Sequence, residues 1–140
     1  MSKTVYSYYV FDIAHRGHRL QMYNAKRIAG EDGRSIVGIL TKEAVLEKKQ
    51  KKPILSFDER MGLAQDLKYV DLVVPQKTYS PIPNLKLFQP DICMESESHN
   101  IDDIQKVREY MESINGKVIV TPYYPYQSSS NIKKKIRGKK

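Results

Sequence analysis

A chain of 140 residues that is 40% hydrophobic and 29% charged matches one globular domain, which excludes a disordered polymer and leaves too little chain for two independent cores. The formal charge of +8 invites a polyanion, yet six basic residues (Lys133, Lys134, Lys135, Arg137, Lys139 and Lys140) fall in a tail at about 133–140, and without them the body carries only +2. That distribution argues against a nucleic-acid partner, and the single cysteine, Cys93, excludes both an intramolecular disulfide and a thiolate metal site. No stretch approaches the roughly 20 apolar residues that span a bilayer, and Met1-Ser2-Lys3-Thr4 lacks the build of a secretion signal, so a cytoplasmic protein without a membrane partner is expected.

In chain order, Thr4 to Phe11 is rich in Val and Tyr and reads as a strand, and His18 to Ala29 carries Leu20, Met22, Tyr23, Ala25 and Ile28 at helical spacing before Gly30 stops it. Ser35 to Leu40 is almost wholly apolar, as a strand buried on both faces should be. Thr41 to Pro53 reads as a long lysine-rich loop, of a length that often marks function. Ser56-Phe57-Asp58-Glu59 matches a capping box and predicts a helix from about Phe57 to Leu67, followed by a strand over Val70 to Val74. A short helical stretch around Asn84 to Phe88 precedes a fourth strand over Asp91 to Met94. Asn100 caps a helix whose Ile101, Ile104, Val107, Met111 and Ile114 share one face, and Val118-Ile119-Val120 makes a fifth strand. A tyrosine-rich loop over Pro122 to Gln127 leads to Ser128-Ser129-Ser130, which caps a last helix through Ile136.

Strands alternate with helices throughout. The expected fold is therefore α/β: a single Rossmann-like domain over residues 1–140, with a five-stranded open parallel sheet and helices on both faces. Such sheets bind ligands at the carboxyl ends of their strands. His15 and His18 follow the first strand, the lysine loop the second, Glu95 to His99 the fourth, and the tyrosines and serines the fifth, so all four segments converge on one rim.

The run Phe11-Asp12-Ile13-Ala14-His15-Arg16-Gly17-His18 closes a strand and opens a helix. A helix start turns unpaired N–H groups and a partial positive charge outward, Gly17 lets an anion approach, and two imidazoles can donate to oxygen on phosphorus. No Ser/His/Asp or Cys/His nucleophile arrangement stands out. In-line phosphoryl chemistry asks mainly for positioning and charge neutralisation, which this set supplies.

On these residues the chain resembles the nucleotidyltransferase family marked by His-x-x-Gly-His, and in particular its small cytidylyltransferases. The likeness runs through Phe11-Asp12 with His15-Arg16-Gly17-His18, Lys49-Gln50-Lys51-Lys52 ahead of Phe57-Asp58-Glu59-Arg60, Lys68-Tyr69-Val70-Asp71, and Ser128-Ser129-Ser130-Asn131-Ile132-Lys133. The resemblance implies transfer of CMP from CTP to a small phosphate- or phosphonate-bearing acceptor (glycerol 3-phosphate, phosphocholine, phosphoethanolamine or an aminoalkylphosphonate), with release of pyrophosphate. It implies that His15 and His18 hold the α-phosphate and bridging oxygen while Lys49 and Lys51 hold the β- and γ-phosphates. It places the nucleotide against Tyr9, Val10, Phe11, Asp12 and Gly17, against Lys68, against Met94, Glu95 and Glu97, and against Ser128, Ser129 and Ser130. Mg²⁺ is expected to travel with the triphosphate without a protein metal site, and a homodimer with Arg16 near its interface is implied as well.

The chain departs from the family pattern at several points. Tyr9-Val10 stands where a glycine and a small residue are usual, Lys68 replaces an arginine, and Glu95-Ser96-Glu97-Ser98 replaces a Gly-Asp-Asp-like base-contacting segment. Tyr8, Tyr123 and Tyr126, with Glu95 or Glu97, suggest an acceptor subsite for an amine or quaternary ammonium. An adenylyltransferase of the same fold and a non-catalytic nucleotide- or nucleic-acid-binding domain are the alternative readings.

Overall fold

The computed structural model describes residues 2–122 together with Lys133, Lys135 and Ile136. Five strands, β1 (Thr4–Tyr9), β2 (Arg34–Leu40), β3 (Leu72–Gln76), β4 (Ile92–Ser96) and β5 (Lys117–Thr121), form one parallel sheet in the order β3-β2-β1-β4-β5. Every residue of β2 after Arg34 is buried, as the apolar run requires of a strand covered on both sides.

Helices α1 (Arg16–Ala29) and α3 (Phe57–Gln65) cover one face. There Met22, Ala25 and Ala29 of α1 and Ala64 of α3 meet Val5, Val37, Ile39, Ile92 and Met94. Helices α4 (Ile82–Phe88) and α5 (Ile101–Ser113) cover the other, with Leu85, Val107 and Met111 packed on Tyr6, Ile36, Val74 and Cys93. The capping box at the start of α3 forms as the sequence predicts: Ser56 Oγ accepts from the Glu59 amide and Glu59 accepts from the Ser56 amide. Asn100 likewise caps α5 by accepting from the Asp102 and Asp103 amides.

β1 ends at Tyr9 rather than Phe11, and β4 runs from Ile92 to Ser96 rather than ending at Met94, so Glu95 lies in the strand and not after it. Two further features differ from expectation. β3 begins at Leu72 rather than Val70, because the Val70 amide closes a turn on Leu67 and the Asp71 carboxylate is drawn to the Ser35 amide and Lys26 at the start of β2. Thr41 to Pro53 is not loop throughout; Thr41 Oγ1 caps a one-turn helix, α2 (Lys42–Leu46), whose Ala44 and Val45 pack on Leu40. The last predicted helix lies mostly outside the described residues, of which Lys133, Lys135 and Ile136 are helical.

Tyr6 on β1 reaches over β2 to β3, where its hydroxyl donates to Gln76 Oε1 at 2.6 Å and accepts from Asn84 Nδ2 at 2.9 Å. It passes over Gly38, where a Cβ would collide with the phenol oxygen. Gly38→Ala should therefore cost about 1–3 kcal/mol, read as a lower urea midpoint with an unchanged slope.

Candidate active site

The chain leaves β1 through Phe11, which holds the left-handed backbone at φ 59° with its ring buried between α1 and α3. A non-glycine residue there is costly and persists only where packing enforces it. The turn delivers His15 to the N-cap of α1. His15 Nδ1 accepts from the Gly17 amide at 3.0 Å, and His18 Nδ1 accepts from the His15 amide at 3.3 Å, a reciprocal cap made by the two histidines themselves. Each ring has its Nδ1 occupied as an acceptor, so in the neutral state each carries its proton on Nε2, which is left as the ring's N–H donor.

The rings lie 3.9 Å apart between centroids, and Phe11 and Tyr9 meet His18 edge-on at 5.0 and 5.7 Å. Burial, with a smaller contribution from His15, lowers His18 to about 3, and burial lowers His15 as well. Both imidazoles are therefore neutral donors around pH 7. The first turn of α1 contains no acidic residue, which leaves the helix start attractive to an anion.

His18 also makes stability depend on pH. Between its ordinary value of 6.5 and about 3 the unfolded chain takes up a proton that the folded chain refuses, so stability is full above that window and falls as pH drops through it. Urea midpoints should drop between about pH 7 and about pH 4.5, above the carboxylate range, and His18→Asn should flatten that drop.

Asp12 is buried and fully engaged. Its carboxylate accepts from the Ile54 amide at 2.9 Å, from the Leu55 amide at 2.8 Å, and from Lys133 Nζ. Burial alone favours the neutral acid, but the Leu55 amide, Lys133 and the Ile54 amide together hold the group below its ordinary value. Asp12 thus ties the histidine turn to the Ile54 and Leu55 amides at the end of the lysine loop and to Lys133. Lys49 belongs to the same group: although the residue is exposed overall, partial desolvation and Lys133 lower its ammonium, with Asp12 opposing. Lys51 lies exposed two residues further along the loop.

Arg60, a member of the Phe57-Asp58-Glu59-Arg60 motif, is fully buried beneath this rim. Its Nη1 donates to the carbonyls of Val10 at 2.8 Å and Leu40 at 2.6 Å, and its Nε donates to that of Leu55 at 3.2 Å. One side chain thereby binds the ends of β1 and β2 to the loop. A cleft of about 510 Å³, lined among others by Thr41, Lys42, Lys52 and Phe57, opens beside it.

Across the rim, Glu95 is 2% exposed, accepts from the Tyr8 hydroxyl and lies in hydrogen-bond contact with His99 Nδ1. Of the acceptor subsite expected from Tyr8, Tyr123 and Tyr126 with Glu95 or Glu97, Tyr8 and Glu95 are paired with each other and Glu97 is exposed. The Met94 side chain packs in the core with Val5, Ala25 and Ala29. Lys68 does not join the rim. It precedes β3 at the amino edge of the sheet, with its ammonium 5.2 Å from the Tyr69 ring. Val10 packs on Leu40, Ala44 and Val45, while Glu97 is exposed after β4 with its amide on the Thr121 carbonyl. Ser128, Ser129, Ser130, Tyr123 and Tyr126 lie outside the described residues.

The described residues contain no group of three His, Cys, Asp or Glu side chains able to hold a metal, and the one carboxylate beside the histidines is consumed by amides and Lys133. A divalent cation therefore does not fit these side chains as a resident ligand set. Among the same residues no helix is long and apolar enough to cross a membrane.

The family model described as cytidylyltransferase-like matches residues 10–135. The chain belongs to that family of nucleotidyltransferases. Its relatives include an FAD synthase of Korarchaeum cryptofilum, 30% identical over 127 residues and covering 90% of this chain and 86% of that protein. The bifunctional protein HldE of Ectopseudomonas mendocina is 30% identical over 138 residues, 98% of this chain but 28% of its own length. Among solved structures, a lipopolysaccharide core biosynthesis protein of Thermoplasma volcanium superposes with a TM-score of 0.71 at 20% identity, over 89% of this chain and 98% of that one, and shares the Rossmann-like fold.

Proposed function

We propose that this nucleotidyltransferase moves CMP from CTP to a small acceptor bearing a phosphate or phosphonate, with release of pyrophosphate. The observation that carries the reading is the pair of stacked imidazoles whose Nδ1 atoms are taken by the cap, on an acid-free helix start, with Lys49 in electrostatic contact with Asp12 of the same turn. An acceptor oxygen, already anionic, attacks the α-phosphorus as the bond to the β-phosphate oxygen breaks, so the protein need not remove a proton. His15 and His18 donate to the α-phosphoryl oxygens and to the bridging oxygen, where negative charge grows. Lys49 and Lys51 meet the departing pyrophosphate as point charges on a loop that Asp12 tethers. Any divalent cation would arrive on the triphosphate.

ATP as the donor is the second reading, favoured by the relatives named FAD synthase, whose product contains an adenine nucleotide. The test is pyrophosphate release with CTP or ATP against glycerol 3-phosphate, phosphocholine, phosphoethanolamine and aminoethylphosphonate in turn. Turnover with CTP is expected, and turnover with ATP alone would transfer the assignment to the second reading. Binding of either nucleotide without pyrophosphate release would overturn both.

A further inference from the structure

β1 and β4 are neighbours in the sheet although β2 and β3 continue the chain on the far side of β1, so their carboxyl ends enclose the switch-point crevice where open α/β sheets take ligands. Tyr8 near the end of β1, Glu95 near the end of β4 and His99 just beyond it are in contact at these carboxyl ends. The Glu95 carboxylate accepts from the Tyr8 hydroxyl at 2.8 and 2.6 Å, and the Tyr8 and His99 rings stack at 5.3 Å. His99 Nδ1 lies 2.7 Å from Glu95 Oε1, whereas the Tyr8 hydroxyl and the Ser96 amide approach that nitrogen only to 3.4 Å. A carboxylate has no proton to give, so the short contact places one on His99 Nδ1. Nε2 is then an acceptor in the neutral ring. It has no partner among the described residues, and the side chain is 27% exposed, enough to offer one edge to a ligand.

The surroundings select what that edge receives. From Met94 to Gln105 there is no Lys or Arg, while Glu97, Asp102 and Asp103 add carboxylates. This end of the rim disfavours phosphate and favours a group with N–H to donate, in contrast to the histidine and lysine end.

We propose that His99 is a specificity-determining residue of the transfer reaction, its Nε2 accepting a hydrogen bond from a substrate amino group, with Glu95 and Tyr8 as the positioning residues that fix the ring. This rests on the nucleotidyltransferase reading above. The amino group has two sources, the exocyclic amine of the nucleobase or an amine on the acceptor, and the same experiment separates them.

The full chain is assayed with pairs that exchange one amino group for oxygen: CTP against UTP, ATP against ITP, and aminoethylphosphonate against hydroxyethylphosphonate. In one pair the amino member is preferred by about tenfold in kcat/KM. His99→Phe, which keeps the ring stack without the nitrogens, abolishes that preference through KM with kcat nearly unchanged. His99→Gln restores part of it through its amide oxygen. The pair that responds identifies the source of the amine. No amino preference in the unaltered protein, or an equal loss on both members of every pair, overturns the assignment. If the unaltered protein turns over no pair, the reading above fails instead, and calorimetric affinities for the same compounds take over. Equal affinities in the unaltered protein and His99→Phe then overturn the role of His99 by itself.

Discussion

His18→Ala should reduce kcat for pyrophosphate release by about 100-fold or more, the usual consequence of removing one preorganised donor from a developing negative charge. The ring is held on three sides: its Nδ1 by the His15 amide, and its faces and edges by Phe11, Tyr9 and His15. It therefore loses no freedom when the transition state forms, and that fixed aim is the source of its effect. Because Nδ1 also caps α1, the alanine variant should lose about 1 kcal/mol of stability as well, and the two losses must be separated. His18→Asn does so. Its side-chain oxygen mimics Nδ1 and restores the cap, but it has nothing where Nε2–H stood, so its melting midpoint should recover while kcat stays low. His18→Gln places an amide near the Nε2 position and should recover part of kcat. Equal rates for Asn and Gln would show that His18 acts through helix capping rather than on phosphorus.

Much of this site was legible in the sequence because its signals are local. Apolar runs bounded by caps located the strands and helices, and alternation of the two determined that the segments after β1, β2 and β4 share a rim. The His15–His18 spacing was readable as a helix start, although the reciprocal capping by the imidazoles was not, since it depends on ring orientation. What escaped was long-range. Arg60 follows a capping box and its motif neighbours on the helix surface, so nothing nearby reveals that it turns inward to carbonyls 50 and 20 residues away. Asp12 gave no sign that its partners would be amides 42 and 43 residues on. The burial of Glu95 is likewise not visible in Glu95-Ser96-Glu97-Ser98, and only the packing of Tyr8 and His99 against it shows what its carboxylate meets in the fold. Lys68 was misplaced for a related reason, because a helix running back from rim to amino edge carries motif residues to the wrong end of the sheet.

Arg60→Met should lower the unfolding free energy by on the order of 3 kcal/mol, since three carbonyl oxygens lose their donor and an orphaned buried acceptor costs about 1–3 kcal/mol. The loss is partly offset, because a buried guanidinium is itself expensive: burial pulls its pKa below the ordinary arginine value, with the Asp12 charge opposing that shift. The net sign follows from geometry. Methionine fills most of the volume but cannot bridge the ends of β1, β2 and the loop, and for a domain of this size the deficit corresponds to a melting midpoint lower by roughly ten degrees. Arg60→Lys should recover only part of it, as one ammonium cannot reproduce the planar fork that reaches Val10 and Leu40 together with Leu55. The same unpinning frees the lysine loop from the histidine turn, so KM for the triphosphate should rise in both variants with the Lys variant intermediate. A methionine variant with an undisturbed midpoint would mean that water satisfies the three carbonyls, and the rim would then be held by Asp12 alone.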